Sequence, residues 1–223
     1  MHRRRTLTEL RNSRPPSLVL LKKWSRDYST NLLGQVWQAY DLFRAEVLSG
    51  INASKAEDDL ERDITMSLER RIRRVMTGDE PYIVQHGPYE EESRKPSPAQ
   101  PPQYDIAFVM NADERVMWPL EAKVLKSDSQ AAVAAYAADI NNEYLTCRYA
   151  PFSSEGAMLG YLMSGDENVA FKSIEARVPC TLTHHPYYLT RQHKTSSHVR
   201  KVPSGKSYSC DFRCHHLLMR IAA

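Results

Sequence analysis

The chain alternates between apolar runs of helical and of strand period, and these runs predict most of its elements. From Thr30 to Leu48 the apolar residues Leu32, Leu33, Val36, Trp37, Tyr40, Phe43 and Val47 recur at intervals of three and four, which predicts a helix with one buried face, closed by Ser49-Gly50. Ser54 with Glu57 three residues on has the pattern of a capping box, and a second helix is expected from there to about Met76, before Gly78. Residues 81–86 read as a strand. Residues 87–103 hold five prolines and the run Glu90-Glu91-Glu92, and are expected to be a loop. Two apolar strands follow at about 104–110 and 117–125, joined by the turn-like Asn111-Ala112-Asp113-Glu114. The alanine-rich stretch from Ser129 to Leu145 predicts a helix whose small side chains allow close packing on a sheet. Residues 157–163 read as a further buried element, residues 212–221 fit either a strand or a helix, and Leu18 to Leu21 fits a short strand or a first helical turn.

At 223 residues and 42% hydrophobic, the chain is long enough for one packed core, and a single domain over 1–223 is expected. No apolar run approaches the ~20 residues of a membrane span, and the start Met1-His2-Arg3-Arg4-Arg5 lacks the apolar core of a secretory signal. A cytoplasmic protein that does not enter a membrane is the expectation. Four cysteines in a chain of this length do not make a disulfide framework.

Charge is divided along the chain. Residues 1–26 carry eight Lys/Arg against Glu9 alone, and residues 172–223 carry nine against Glu175 and Asp211, whereas the middle holds 13 basic and 24 acidic residues. This suggests a basic N-terminal arm over 1–28, a basic, histidine-rich extension of the core over 172–223, and a positive rim suited to nucleic acid.

The chemistry concentrates in the two central strands. Asp105 begins the first, and Glu121 and Lys123 lie in the second. Side chains alternate faces along a strand, so Glu121 and Lys123 point the same way and can both meet Asp105 across a hairpin. Two close carboxylates repel unless a cation compensates them, which makes them an oxygen-ligand pair for magnesium. The lysine can then orient or activate a water, or stabilise charge building on a phosphate. Phosphodiester hydrolysis is the chemistry this suits.

Asp105, Glu121 and Lys123, in consecutive strands between two helices, resemble the active-site signature of the PD-(D/E)XK nuclease superfamily. Gln103-Tyr104 stands where that family often has proline before the aspartate. The resemblance covers about residues 55–145. It implies an α/β restriction-endonuclease-like core with a mixed central β-sheet flanked by helices, a magnesium cofactor that manganese can replace, and cleavage of DNA more often than RNA. Many members add a glutamate from the first core helix. Glu61 and Glu57 fall within the apolar arc of Leu60, Ile64, Leu68, Ile72 and Val75, while Glu69 falls well outside it. Glu61 is taken as the third metal ligand and Glu57 as its alternative. A small nuclease without a reading module implies a homodimer or a protein partner for targeting, and a role in prokaryotic anti-phage defence. The alternative is a non-catalytic nucleic-acid-binding or assembly subunit that keeps the fold.

Six of the eight histidines lie beyond Cys180, and with Cys180, Cys210 and Cys214 they supply enough ligands for zinc. Their spacing fits no established finger, so satisfied core residues are expected instead. The stretch 191–201 is nearly devoid of apolar residues, and it is expected to be an exposed loop whose Arg191, Lys194, Arg200 and Lys201 grip phosphates.

Overall fold

The computed structural model describes residues 16–24, 28–93, 95 and 100–221. Most of the expected basic arm therefore lies outside the described residues. Of the rest of it, Leu18–Lys23 form a short helix, α1, and Trp24 is fully buried.

The periodic stretches become helices as expected. Helix α2, Ser29–Glu46, buries Leu32, Leu33, Val36, Trp37, Tyr40 and Phe43 on one face. Helix α3, Glu57–Val75, opens with Glu57, Asp58 and Asp59 and ends with Arg73 and Arg74, charges that complement its dipole. Its N-cap is Ala56 and not Ser54, whose backbone and hydroxyl both turn to the Asn52 side chain. The capping box is absent because Asn52 offers Ser54 a closer partner. The helix also buries Glu69, which pairs with Arg73 one turn on, outside the apolar arc. Helix α3 packs on α2, the first strand and the third, so its covered surface is wider than its apolar stripe.

One mixed sheet of seven strands organises the molecule: β1 Tyr82–His86, β2 Ile106–Met110, β3 Met117–Lys126, β4 Glu155–Ser164, β5 Thr183–His184, β6 His193–Val199 and β7 Asp211–Arg220. Their order is β1-β2-β3-β4-β7-β6-β5. β3, β4 and β7 run parallel at the centre, and antiparallel pairs extend the sheet on both sides. β4 is buried on both faces for most of its length, which is why its sequence is a continuous apolar run without alternation. Helices α2 and α3 cover one face, where Leu120, Ala122 and Val124 point. Helices α4, Gln130–Asp139, and α5, Glu167–Glu175, belong to the other, with Met158, Leu162 and Leu218. The Ser129 and Asp166 side chains cap these two helices. Gly160 of β4 leaves room for Leu125 and Leu218, which would crowd a Cβ at 2.6 and 2.5 Å.

The stretch 191–201 is not an exposed loop. It forms β6, where His193 and His198 are buried, followed by Arg200 at 4% exposure. A strand between two partners needs backbone hydrogen bonds and not apolar side chains, so this polar stretch reads as loop by composition alone. The C-terminal stretch from β5 to β7 completes the sheet.

The proline-rich segment after β1 is a loop, but an anchored one. Its Glu90 is 1% exposed, accepting from the Tyr104 hydroxyl at 2.7 Å and from the Glu92 N–H at 3.0 Å. Burial pushes the Glu90 carboxyl up to about 7 despite these bonds. A carboxyl raised on folding takes up a proton in the native state, so its contribution to stability is complete below the usual 4.5 and is lost as pH rises through 7. We expect wild-type stability to fall by about 3 kcal/mol over that window, at roughly 1.4 kcal/mol per pH unit, relative to Glu90→Gln. Urea denaturation of both proteins at pH 5 and pH 8 measures this. Parallel pH dependence of the two would show Glu90 to be ionised throughout.

Candidate metal and catalytic site at the end of β3

Strand β2 pairs with β3 only as far as Ile106, opposite Leu120. Beyond that point β3 keeps its parallel partner β4 on one edge, and its other edge presents backbone N–H groups with no strand to receive them. Two carboxylates take that place. Asp105 Oδ2 accepts from the Ala122 N–H at 2.8 Å, and Glu61 Oε2 accepts from the Val124 N–H at 3.0 Å. Each bond satisfies a half-buried donor and fixes an acid beside the strand. Asp105 is held from its own backbone as well, because its carbonyl accepts from the Gly87 N–H at 3.0 Å.

Lys123 collects the remaining acids. Its Nζ lies 3.1 Å from Asp139 Oδ2, 3.4 Å from Glu121 Oε1 and 3.6 Å from Glu61 Oε1. Asp139 ends α4, just before the single π-helical turn Ile140–Tyr144, a departure from α geometry that often accompanies functional sites. On the side of Asp105 and Glu61 a cleft of about 310 Å³ opens, with Arg62 and His86 also on its wall.

Four carboxylates thus face one lysine, and the imbalance shows in their acidities. Burial, reinforced by the Asp105 charge, holds the Glu121 carboxyl well above the usual range, and burial also raises Asp105 and Glu61 against the pull of Lys123. Burial opposes the charge of Lys123, but Glu121, Glu61 and Asp139 outweigh it and keep the ammonium protonated above its usual range. Glu121 Oε2 is buried without a hydrogen-bond partner. A buried acceptor beside surplus negative charge is what a hard cation relieves, although the ligand oxygens of Asp105, Glu121 and Glu61 are not drawn together as closely as the nitrogens of His185, His193 and His215.

The four residues expected to act together, Glu61, Asp105, Glu121 and Lys123, do converge here. Glu57 does not. It pairs with Lys126 at 2.7 Å on the surface, one turn too early to reach the strand. Asp139 was not anticipated, although it is the one charged residue in an otherwise apolar and small-residue helix. Gln130 takes the Arg177 guanidinium instead of facing the cluster. The four expected phosphate-gripping residues fare differently. Arg200 donates to the Ala150 carbonyl at 2.8 Å and to the Ser209 carbonyl at 2.8 and 3.0 Å, and it stacks over Phe212, so it holds the fold from inside. Arg191 makes a two-pronged bond to Asp41 at 2.6 and 2.7 Å. Lys194 lies over the Phe171 ring at 4.8 Å, and Lys201 is exposed.

Comparison with protein families, with curated proteins and with solved structures finds no match to this chain. Among the described residues no helix is long and apolar enough to cross a membrane.

Removing one of the crowded negative charges is expected to relax the site. Glu121→Gln should stabilise the cation-free protein, because it relieves the burial of a carboxylate and the repulsion from Asp105. Magnesium should raise the melting temperature of the wild type and not of the variant. Equal magnesium shifts in the two proteins would remove Glu121 from the ligand set.

Proposed function

We propose that the protein is a magnesium-dependent nuclease with a restriction-endonuclease-like core, hydrolysing phosphodiester bonds, with DNA as the favoured substrate. The observation that carries this reading is the convergence of Asp105, Glu121 and Glu61 around Lys123 at the open edge of β3. Asp105, Glu121 and Glu61 would hold the ion, which supplies Lewis-acid polarisation of the scissile phosphate and a lowered pKa for the attacking water. The two backbone bonds from Ala122 and Val124 fix Asp105 and Glu61 in place before any substrate arrives, so little reorganisation accompanies binding. The neighbouring acids Glu121, Glu61 and Asp139 favour the protonated form of Lys123. Its role is to donate, orienting the nucleophile and countering charge on the phosphate. Asp139 keeps that ammonium aimed at the cluster.

The reading extends to a homodimer or a protein partner for targeting, in keeping with an effector of anti-phage defence. Surface cations such as Lys201 and Lys194 would meet the phosphate backbone.

Plasmid, linear duplex, single-stranded DNA and RNA incubated with magnesium or manganese test the reading. Lys123→Ala should lose about 10²–10³ in rate, and Asp105→Asn should lose activity while its amide oxygen still accepts from Ala122, leaving the melting temperature near wild type. A wild-type protein that cleaves none of the four, or an undiminished Lys123→Ala, would sink the nuclease assignment and favour the binding-only subunit.

The basic residues should separate into two classes. Lys194→Ala with Lys201→Ala should weaken nucleic-acid binding and lower the salt slope by roughly two. Arg200→Ala should instead destabilise the fold by about 1–3 kcal/mol, since it removes the buried guanidinium's bonds to the Ala150 and Ser209 carbonyls and its packing on Phe212. Denaturation and salt-dependent binding titrations of the same proteins check both.

A further inference from the structure

On the face of the sheet opposite Lys123 and α4, three histidines from separate segments converge. His185 follows β5, His193 opens β6 and His215 lies within β7, and they are 6, 0 and 0% exposed. One nitrogen from each ring lies within 4.8 Å of the other two. His193 Nε2 and His215 Nδ1 are 3.2 Å apart, and the His185 ring stacks on His193 at 4.6 Å between centroids.

Such a cluster is hard to explain as ordinary core. The other two buried histidines of this region are served by hydroxyls: His216 by Tyr136 at 3.1 Å and Ser196 at 2.7 Å, and His198 by Ser196 at 2.7 Å. In the triad, by contrast, imidazole nitrogens face one another. Two ring nitrogens about 3.3 Å apart is the spacing imposed by tetrahedral coordination at about 2.0–2.1 Å. Small rotations bring the third ring within reach.

The surroundings match a metal centre. His215 Nε2 donates to Glu155 Oε2 at 3.4 Å, the carboxylate–histidine arrangement that fixes a ligand's tautomer with Nδ1 turned inward. Burial opposes the Glu155 charge, yet His215 and Arg213 hold that carboxyl below its usual range, so the outer partner is ionised. Burial depresses all three imidazoles; neighbouring rings add to it at His185, which falls to about 4, and at His193, while Glu155 opposes it at His215, and the neutral form is the one that coordinates. Arg213 points to Glu155 Oε1 at 3.2 Å.

We propose that His185, His193 and His215 bind a zinc-class divalent ion, with Glu155 as outer-sphere partner of His215 and water in the fourth position. Neutral imidazoles with no thiolate or direct carboxylate suit zinc, cobalt or nickel and exclude magnesium, which wants oxygen. Without metal, protons run one way along the row: the Trp37 Nε1–H donates to His193 Nδ1 at 3.3 Å, His193 to His215, and His215 to Glu155. Binding moves the His193 proton from Nε2 to Nδ1, opening the long Trp37 contact and releasing no proton. The ion joins the segment from His185 to His193 to the middle of the sheet. Tyr187 and Leu189, 75 and 70% exposed on that segment, mark the entry side.

The test uses the untagged chain stripped with chelator and titrated with cobalt(II) and zinc. The expected result is one ion per chain, visible ligand-field bands typical of four-coordinate cobalt, and a melting temperature raised by zinc but not by magnesium. His193→Gln and His215→Gln should each weaken binding at least about 100-fold and Glu155→Gln about 10- to 100-fold, while Asp105→Ala should bind like wild type. Absence of cobalt bands and of a zinc shift in folded wild type would overturn the proposal, as would unchanged binding in His193→Gln or loss of binding in Asp105→Ala. These readouts do not involve nucleic-acid cleavage, so this site and the nuclease reading can fail separately.

Discussion

The unfinished edge of β3 is the constraint on which the candidate site depends. β2 ends too early to receive the N–H groups of Ala122 and Val124, and a buried strand cannot leave them without acceptors. Asp105 and Glu61 are those acceptors. The acid cluster is therefore the means by which the sheet completes its hydrogen bonding, and it ties the start of β2 and the first turns of α3 to one strand end. The same bonds concentrate negative charge where water is scarce. Lys123 offsets part of it, and burial together with the remainder raises the Glu121 carboxyl.

Strand alternation separates two chemistries in one sheet. In β7 the neighbours His215 and His216 point to opposite faces, one toward Trp37 and the histidine triad, the other toward Tyr136. In β3, Trp118 leans on His215 from one face while Glu121 and Lys123 project to the other. The central parallel strands are covered on both faces, so each polar residue inside them must find a partner within the protein. Glu121, Lys123 and Asp139 gather on the α4 side, Glu61 reaches them from α3 at the open edge of β3, and the histidine triad lies on the α2 side. Oxygen ligands suit hard ions such as magnesium and imidazoles suit zinc-class ions, so the two proposed sites would select different metals.

Where local pattern decides the outcome, the sequence could be read. Helix α2, strands β2 and β3, and α4 all carry strong periodicity or composition, and the placement of Asp105, Glu121 and Lys123 followed from strand alternation alone. The helical arc admitted both Glu61 and Glu57, and only the structure separates them, with Glu61 on the Val124 N–H and Glu57 on Lys126. What escaped is tertiary. β6 is a polar strand held by its neighbours' backbone, Arg200 is buried because three carbonyl contacts await its guanidinium, and Glu69 is covered by elements distant in sequence. The histidine triad draws on residues 185, 193 and 215, a spacing that matches no local motif because the sheet order, and not the chain, brings them together.

The division of charge along the chain takes on a different meaning once the pairs are known. The basic C-terminal stretch meets the acidic middle directly: Arg191 binds Asp41, Arg213 binds Glu155, Arg220 binds Glu167 and Lys206 binds Glu92. Individually such half-exposed pairs contribute little, about 0–1 kcal/mol. Their placement still matters, because they lie along the seam where β6 and β7 and their flanking loops join the preceding elements, and a slipped register would set like charges together. Much of the positive charge that composition assigned to a polyanion rim is thus engaged within the protein. Among the described residues, a nucleic-acid surface would have to draw on cations outside those pairs, such as Lys194 and Lys201.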